Sequence, residues 1–441
     1  MLFLWPLVIT LISSITSLTH ASPTRPSEDP FYSFPKDFQT KPPGTILDHR
    51  PLPHPLKDPI PSFYEKAYQI IYRTTDSHDR PTVSLATLLI PPNALSSQIL
   101  VYFPVQNSAC IDCSPSYILA DGVPLPGLSD RVIATVHTLV IAGALNQGFI
   151  VLVPDYEGFN AAFMANRRGA FAGLDGLRAA LASSYFTVVD PSAVAVLMGY
   201  SGASPAAVLA AELHDTYAPE LRIVGVSVGG LLIHLSQVLE MAIPAPNNLP
   251  RALWGLASDY PVMEQVLQEH LVIGDAEKRA EFKRSRGQCA GSLKDNWAEA
   301  DIASYFDGGL SFLNSSDVRR ILEVNSLGQS VPKGIPLLVY ESKHDDKSPI
   351  EEADALVRRY CEAGVVVDYR RYAMESHTVL SVDGVFAALA WVKERFLGVD
   401  MSERKMSDRL SPVGMDTAIF VPEALTGWID RHIGTQLSLI L

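Results

Sequence analysis

The chain has 441 residues, of which 47% are hydrophobic and 19% charged, enough apolar side chain for a large buried core. Its formal net charge is −13 and it has no long run of Lys or Arg, which excludes the electrostatics of a nucleic-acid or anionic-membrane binder. Four cysteines suit an oxidising compartment.

The N-terminal MLFLWPLVITLISSITSLTHA is apolar from Leu2 to about Leu18, followed by the small-residue site Thr19-His20-Ala21. Residues 1–21 read as a secretory signal, although the start lacks Lys or Arg. The stretch is short and broken by Pro6, unlike a membrane anchor, and no other segment is apolar for long enough to form a transmembrane span. Residues 22–62 are rich in proline and polar side chains and read as an extended arm over the surface, not a core element.

Strands and helices then alternate. Strands are predicted at Lys66–Arg73, Val83–Ile90, Ile99–Phe103 and Phe149–Val153. Later ones follow at Val194–Met198, Arg222–Val228, Ile335–Tyr340 and Val365–Tyr372. Helices are predicted at 128–145, 173–183, 204–214 and 385–396. This alternation predicts an α/β fold with a mostly parallel sheet flanked by helices. Residues 231–325 lack strand character and read as a helical lid or cap insertion. It divides a core of residues 63–230 and 326–398, and 399–441 form a C-terminal tail.

Gly199-Tyr200-Ser201-Gly202-Ala203 joins the strand at Val194–Met198 to the helix at Ser204, with Pro205 in that helix's first turn. A serine on so sharp a strand-to-helix turn, between small residues, is the nucleophile elbow of α/β-hydrolases. A large side chain at Gly199 or Ala203 should clash with neighbouring backbone. Ala203 stands where the usual pattern ends in glycine.

In that fold the triad runs serine, acid, histidine. The loop after Tyr340 carries Asp345 and Asp346, with Asp345 the preferred acid and Asp346 the alternative; His344 is expected on its surface. After Tyr372 comes a loop with His377, the only histidine beyond the acid loop except His432 in the tail. His377 is the expected base toward Ser201 and acid toward the leaving alcohol. The expected oxyanion donors are the N–H of Gly202 and one from the loop Pro154-Asp155-Tyr156-Glu157-Gly158. No metal or cofactor is called for. Cys110-Ile111-Asp112-Cys113 has the spacing of a redox or zinc motif, but neither a thioredoxin pattern nor a second ligand pair accompanies it, so structural disulfides are expected. Asn314-Ser315-Ser316 is a glycosylation sequon.

Several segments resemble the fungal secretory lipases of the lipase A type. They are Asp29-Pro30-Phe31-Tyr32, Cys113-Ser114-Pro115-Ser116-Tyr117, Asp155-Tyr156-Glu157-Gly158-Phe159, Leu174-Asp175-Gly176-Leu177-Arg178-Ala179 and Tyr217-Ala218-Pro219-Glu220-Leu221. Ile223-Val224-Gly225, Trp391-Val392 and Arg395-Phe396-Leu397-Gly398 match in kind, so the resemblance runs over residues 29–398. It implies a triad of Ser201, Asp345 and His377, an oxyanion hole from the N–H groups of Asp155 and Gly202, a lid over an acyl tunnel, and a Cys113–Cys289 disulfide. Cys361 lacks the downstream partner usual in that family and Cys110 is extra, which leaves a Cys110–Cys361 bond open. The expected activity is that of a secreted serine ester hydrolase. Two substrate readings stand: triacylglycerols at an oil–water interface, and deacetylation of a small fungal metabolite such as a trichothecene-like toxin. An acyltransferase on the same fold is a further alternative.

Overall fold

The computed structural model describes residues 22–125, 128–244, 248–289, 297, 300–373, 375–401 and 405–409. The strands among them are β1 (Ile46–Pro51), β2 (Lys66–Thr75), β3 (Pro81–Ile90), β4 (Leu95–Phe103), β5 (Phe149–Pro154), β6 (Val194–Tyr200), β7 (Ile223–Gly229), β8 (Leu337–Ser342), β9 (Val367–Tyr372) and β10 (Lys405–Arg409). They form one sheet in the order β1-β2-β3-β5-β4-β6-β7-β8-β9-β10. The pairs from β1 to β5 by way of β2 and β3 are antiparallel, and every pair from β5 onward is parallel. The central strands are near-continuous Val, Ile and Leu because both faces are covered; all six residues of β5 are buried.

The helices among the described residues are α1 (Pro115–Ile118), α2 (Leu128–Asn146), α3 (Asn166–Ala182), α4 (Ser204–Tyr217), α5 (Leu235–Ala242), α6 (Leu249–Asp259), α7 (Pro261–His270), α8 (Ala276–Ser285), α9 (Ser316–Val324), α10 (Ile350–Glu362) and α11 (His377–Phe396). On one face, Leu174 and Leu177 of α3, Val208 and Leu209 of α4, and Leu356 of α10 close over the sheet. On the other, Leu139 and Val140 of α2 meet Leu389, Trp391 and Val392 of α11. Ala206, Ala207, Ala210 and Ala211 of α4 are fully buried, so this helix approaches the sheet without large side chains between.

Three expectations change. The arm is not merely a surface wrap: β1 pairs with β2, and Leu56 and Ile60 are buried against α2. Its proline-rich composition hid an edge strand, the position in a sheet where proline is tolerated. The tail contributes β10, parallel to β9, with Lys343 and Arg371 both on Asp408. The last core helix starts at His377, eight residues before the expected Val385, because Ser376 caps it by accepting Val379 N–H.

The expected insertion between β7 and β8 carries α5 to α9 among the described residues, and its apolar core around Trp254, Phe282, Trp297, Phe306 and Phe312 is continuous with Ala109, Ala162, Phe163, Met164 and Ala165 of the sheet domain. Polar contacts tie it to the sheet domain. Arg168 of α3 pairs with Asp259 of α6 at 2.8 Å, with side chains 1% and 3% exposed. Asn325 accepts from Arg167 N–H and donates to Tyr260 OH. Cys113, just before α1, is disulfide-bonded to Cys289 beyond α8, with Cα atoms 5.6 Å apart. Cys110 and Cys361 form no disulfide.

Candidate active site

Strand β6 ends at Tyr200 and α4 begins at Ser204, so the chain reverses within three residues. Ser201 takes the strain: its φ is +52°, left-handed for a residue with a Cβ. The turn tolerates no bulk, since a Cβ on Gly199 would lie 3.0 Å from the Ala203 carbonyl oxygen. Ala203 itself is fully buried.

The structure brings the three expected side chains into one relay. His377 Nε2 lies 2.8 Å from Ser201 Oγ, and His377 Nδ1 lies 2.6 Å from Asp345 Oδ2. The other carboxylate oxygen, Asp345 Oδ1, accepts from Lys347 N–H at 2.8 Å and Ser348 N–H at 2.9 Å. The Asp345 side chain is fully shielded from solvent and that of His377 is 8% exposed, so this carboxylate works where its charge is poorly screened. Asp346, the alternative acid, is exposed and pairs with Lys347 Nζ at 2.8 Å. His344 is also exposed.

His377 is the first residue of α11, and the Asp345 carboxylate meets it from the loop after β8. Tyr200 OH donates to His377 O at 2.7 Å, fixing the base to the strand that carries the nucleophile.

Gly202 follows Ser201 at the start of the helix, where N–H groups lack intrahelical acceptors. Asp155 departs from the expectation. Its N–H donates to Leu85 O at 2.7 Å, and its carboxyl accepts from Ser116 N–H and Ser116 Oγ at 2.9 and 2.5 Å. It also directly follows β5, which is two strands from β6, about 10 Å across the sheet. The adjacent strand is β4, and the loop after it reaches the elbow instead. A Cβ on Gly202 would fall 2.3 Å from Asn107 Oδ1.

Asn107 has φ +49° and gives its carbonyl to Arg251 Nη1 of α6 at 2.6 Å. Its Oδ1 is buried with no hydrogen-bond partner among the described residues, as are both amide atoms of Gln106 and the hydroxyl of Ser108. Buried polar atoms are rarely left so, and here three consecutive residues carry them. Sequence reasoning missed Asn107. The available signal was the strand order of the hydrolase fold, which places one oxyanion donor after the strand beside the elbow strand.

Among the described residues no group of His, Cys, Asp and Glu could hold a metal ion, and no helix is long and apolar enough to cross a membrane.

Comparison with known proteins agrees with this architecture. The family model described as secretory lipase matches residues 128–403. Lipase A of Arthroderma benhamiae is 39% identical over 88% of this chain and 83% of its own length. Trichothecene C-3 esterase of Fusarium sporotrichioides is 34% identical over 85% of each chain. The crystal structure of Candida antarctica lipase A superposes with a TM-score of 0.81 at 27% identity, covering 95% of both chains. The chain belongs to the secretory lipase family and is a carboxylic ester hydrolase built on the α/β-hydrolase fold.

Proposed function

We propose that Ser201, His377 and Asp345 form the catalytic triad of a secreted serine esterase that acts on lipid esters. The observation that carries this reading is the continuous relay of 2.8 and 2.6 Å that ends on a serine held at positive φ. Ser201 Oγ attacks the ester carbonyl carbon as its proton passes to His377 Nε2. The carbonyl oxygen becomes an oxyanion held by Gly202 N–H and the Asn107 side-chain amide. Turning that amide about χ2 to present Nδ2 breaks no bond at Oδ1, which has no partner among the described residues. The tetrahedral intermediate collapses, and the leaving alkoxide takes the proton from His377. Water, deprotonated at His377 Nε2, then cleaves the acyl-serine and releases the acid.

The helical insertion acts as the lid; its helices pack on Ala109 and Phe163, in the loops that follow β4 and β5. The signal reading of residues 1–21, which lie outside the described residues, and the exposed Asn314 of the sequon fit an extracellular glycoprotein. The similarity to a trichothecene C-3 esterase favours a second reading, removal of a small acyl group from a fungal metabolite. A series of p-nitrophenyl esters from acetate to palmitate, with an emulsified triglyceride beside it, separates the two. Activity confined to acetate would sink the lipid reading. Covalent labelling by an organophosphonate, absent in Ser201→Ala, tests the nucleophile itself.

A further inference from the structure

The last three residues of β8, Tyr340, Glu341 and Ser342, each hold a neighbouring segment of the site. Tyr340 O accepts from Gly230 N–H at 3.2 Å, and Glu341 Oε1 accepts from Leu231 N–H at 2.9 Å. Ser342 Oγ donates to Glu375 O at 2.5 Å and accepts from His344 N–H at 2.9 Å. Glu341 is 1% exposed, and no step of ester cleavage uses it. A buried carboxyl is costly unless its hydrogen bonds repay it.

Gly230 is where the chain leaves β7. Its φ is +55°, and a Cβ there would fall 2.8 Å from His377 Cε1 and 2.8 Å from Tyr200 Cζ. The Gly230 backbone is therefore packed against the edge of the imidazole. The ring is held at Nδ1 by Asp345, through its own carbonyl by Tyr200, and at Cε1 by this backbone. The third support depends on Leu231, a fully buried residue whose N–H has Glu341 as its acceptor. Without that acceptor the N–H is unpaired inside the protein, and the segment gains by moving toward any other partner.

We propose that Glu341 is a positioning residue for His377: its carboxyl pins Leu231 N–H and so keeps the Gly230 backbone against the imidazole edge, which sets the reach of Nε2 to Ser201. The inference rests on the triad reading above. Burial, with the Asp345 charge adding to it, pushes the Glu341 carboxyl well above the usual carboxylic range despite the Leu231 bond. Glutamine is its isostere and keeps an oxygen that can accept from Leu231 N–H.

Glu341→Met keeps the volume and removes the acceptor, whereas Glu341→Gln retains it. With p-nitrophenyl butyrate, Glu341→Met is expected to lose about 10- to 100-fold in kcat with KM held within about twofold, the scale of a base displaced by up to about 1 Å. Glu341→Gln stays within about threefold of wild type, because the same oxygen meets the same N–H. Gly230→Ala presses on the ring from the same contact and should give the same kcat-selective loss; Glu341→Leu, which also lacks the acceptor, carries the test if Glu341→Met does not fold. Wild-type kcat in Glu341→Met, or equal losses in the Met and Gln variants, overturns the inference. Ser201→Ala is assayed beside them. If it still cleaves the ester, the triad reading falls and takes this inference with it; if it is inactive while Glu341→Met is unimpaired, only this inference falls.

Discussion

The Asp345 carboxylate divides its two oxygens between two tasks, and an amide can perform only one of them. Oδ1 holds two backbone N–H groups, of Lys347 and Ser348, while Oδ2 faces His377 Nδ1. In Asp345→Asn the side-chain oxygen stays with the two N–H donors, since the reverse orientation would set an NH₂ against both. The NH₂ then faces His377 Nδ1 and requires that nitrogen to accept. The ring proton moves to Nε2, so Nε2 can no longer take the Ser201 proton. Inverting the tautomer in a triad of this kind costs about 10⁴ in kcat, or about 5.5 kcal/mol of barrier. A loss of about 10³- to 10⁴-fold in kcat is therefore expected for Asp345→Asn, with KM changed by less than about threefold and the thermal midpoint near wild type. Asp346→Asn removes only an exposed pair with Lys347 and should change kcat by less than about threefold. Initial rates on p-nitrophenyl butyrate, with protein concentration fixed by absorbance and folding checked by circular dichroism, give both numbers. Asp345→Asn within tenfold of wild type, or Asp346→Asn the more damaging of the two, would refute the reasoning.

Other consequences are open to test. Asn107→Asp sets a second anion beside the developing oxyanion and should lower kcat by about 10²- to 10³-fold, with the rate of phosphonate labelling at Ser201 falling in parallel; unchanged labelling would remove Asn107 from the oxyanion hole. Arg168→Met strands Asp259 in the interior. Burial alone would raise the Asp259 pKa, yet Arg168 and Ser77 hold it below the usual value, so the pair matters in the folded state. Breaking it should cost about 3–5 kcal/mol in urea unfolding, most of it recovered when Asp259→Leu is added. Asp155 is pushed up to about 7 by burial, which the Ser116 hydrogen bonds only partly oppose. Unfolded, it ionises near 3.8, so between that pH and about 7 the unfolded chain sheds the proton first. The stability from this group is then full below the lower value and lost as pH rises through the upper one. The thermal midpoint should fall from pH 4 to 7 less steeply in Asp155→Asn than in wild type, and equal slopes would contradict the assignment.

Much of the site was legible without coordinates because its signals are local or ordinal. The elbow is written in six apolar residues, two glycines and a proline-started helix, all within a dozen positions of Ser201. Asp345 and His377 follow from the order of strand ends along the chain. Choosing Asp345 over Asp346 from the sequence rested on a one-residue preference. In the fold, backbone N–H groups of Lys347 and Ser348 turn one carboxylate inward while Lys347 draws the other outward.

What the chain determined by itself was the alternation of elements, the helical insertion, and the serine, acid and histidine in their order, since periodicity and turn chemistry act over a few residues. The fold alone decided which strand ends are neighbours. Strand β4 lies beside β6 with β5 beyond it, so Asn107 rather than Asp155 meets Gly202. The same long-range pairing recruits Ile46–Pro51 and Lys405–Arg409 into the sheet and lays Gly230 against His377. Hydrogen bonds between strands join residues far apart in the chain, and no local pattern of residue types specifies the partner.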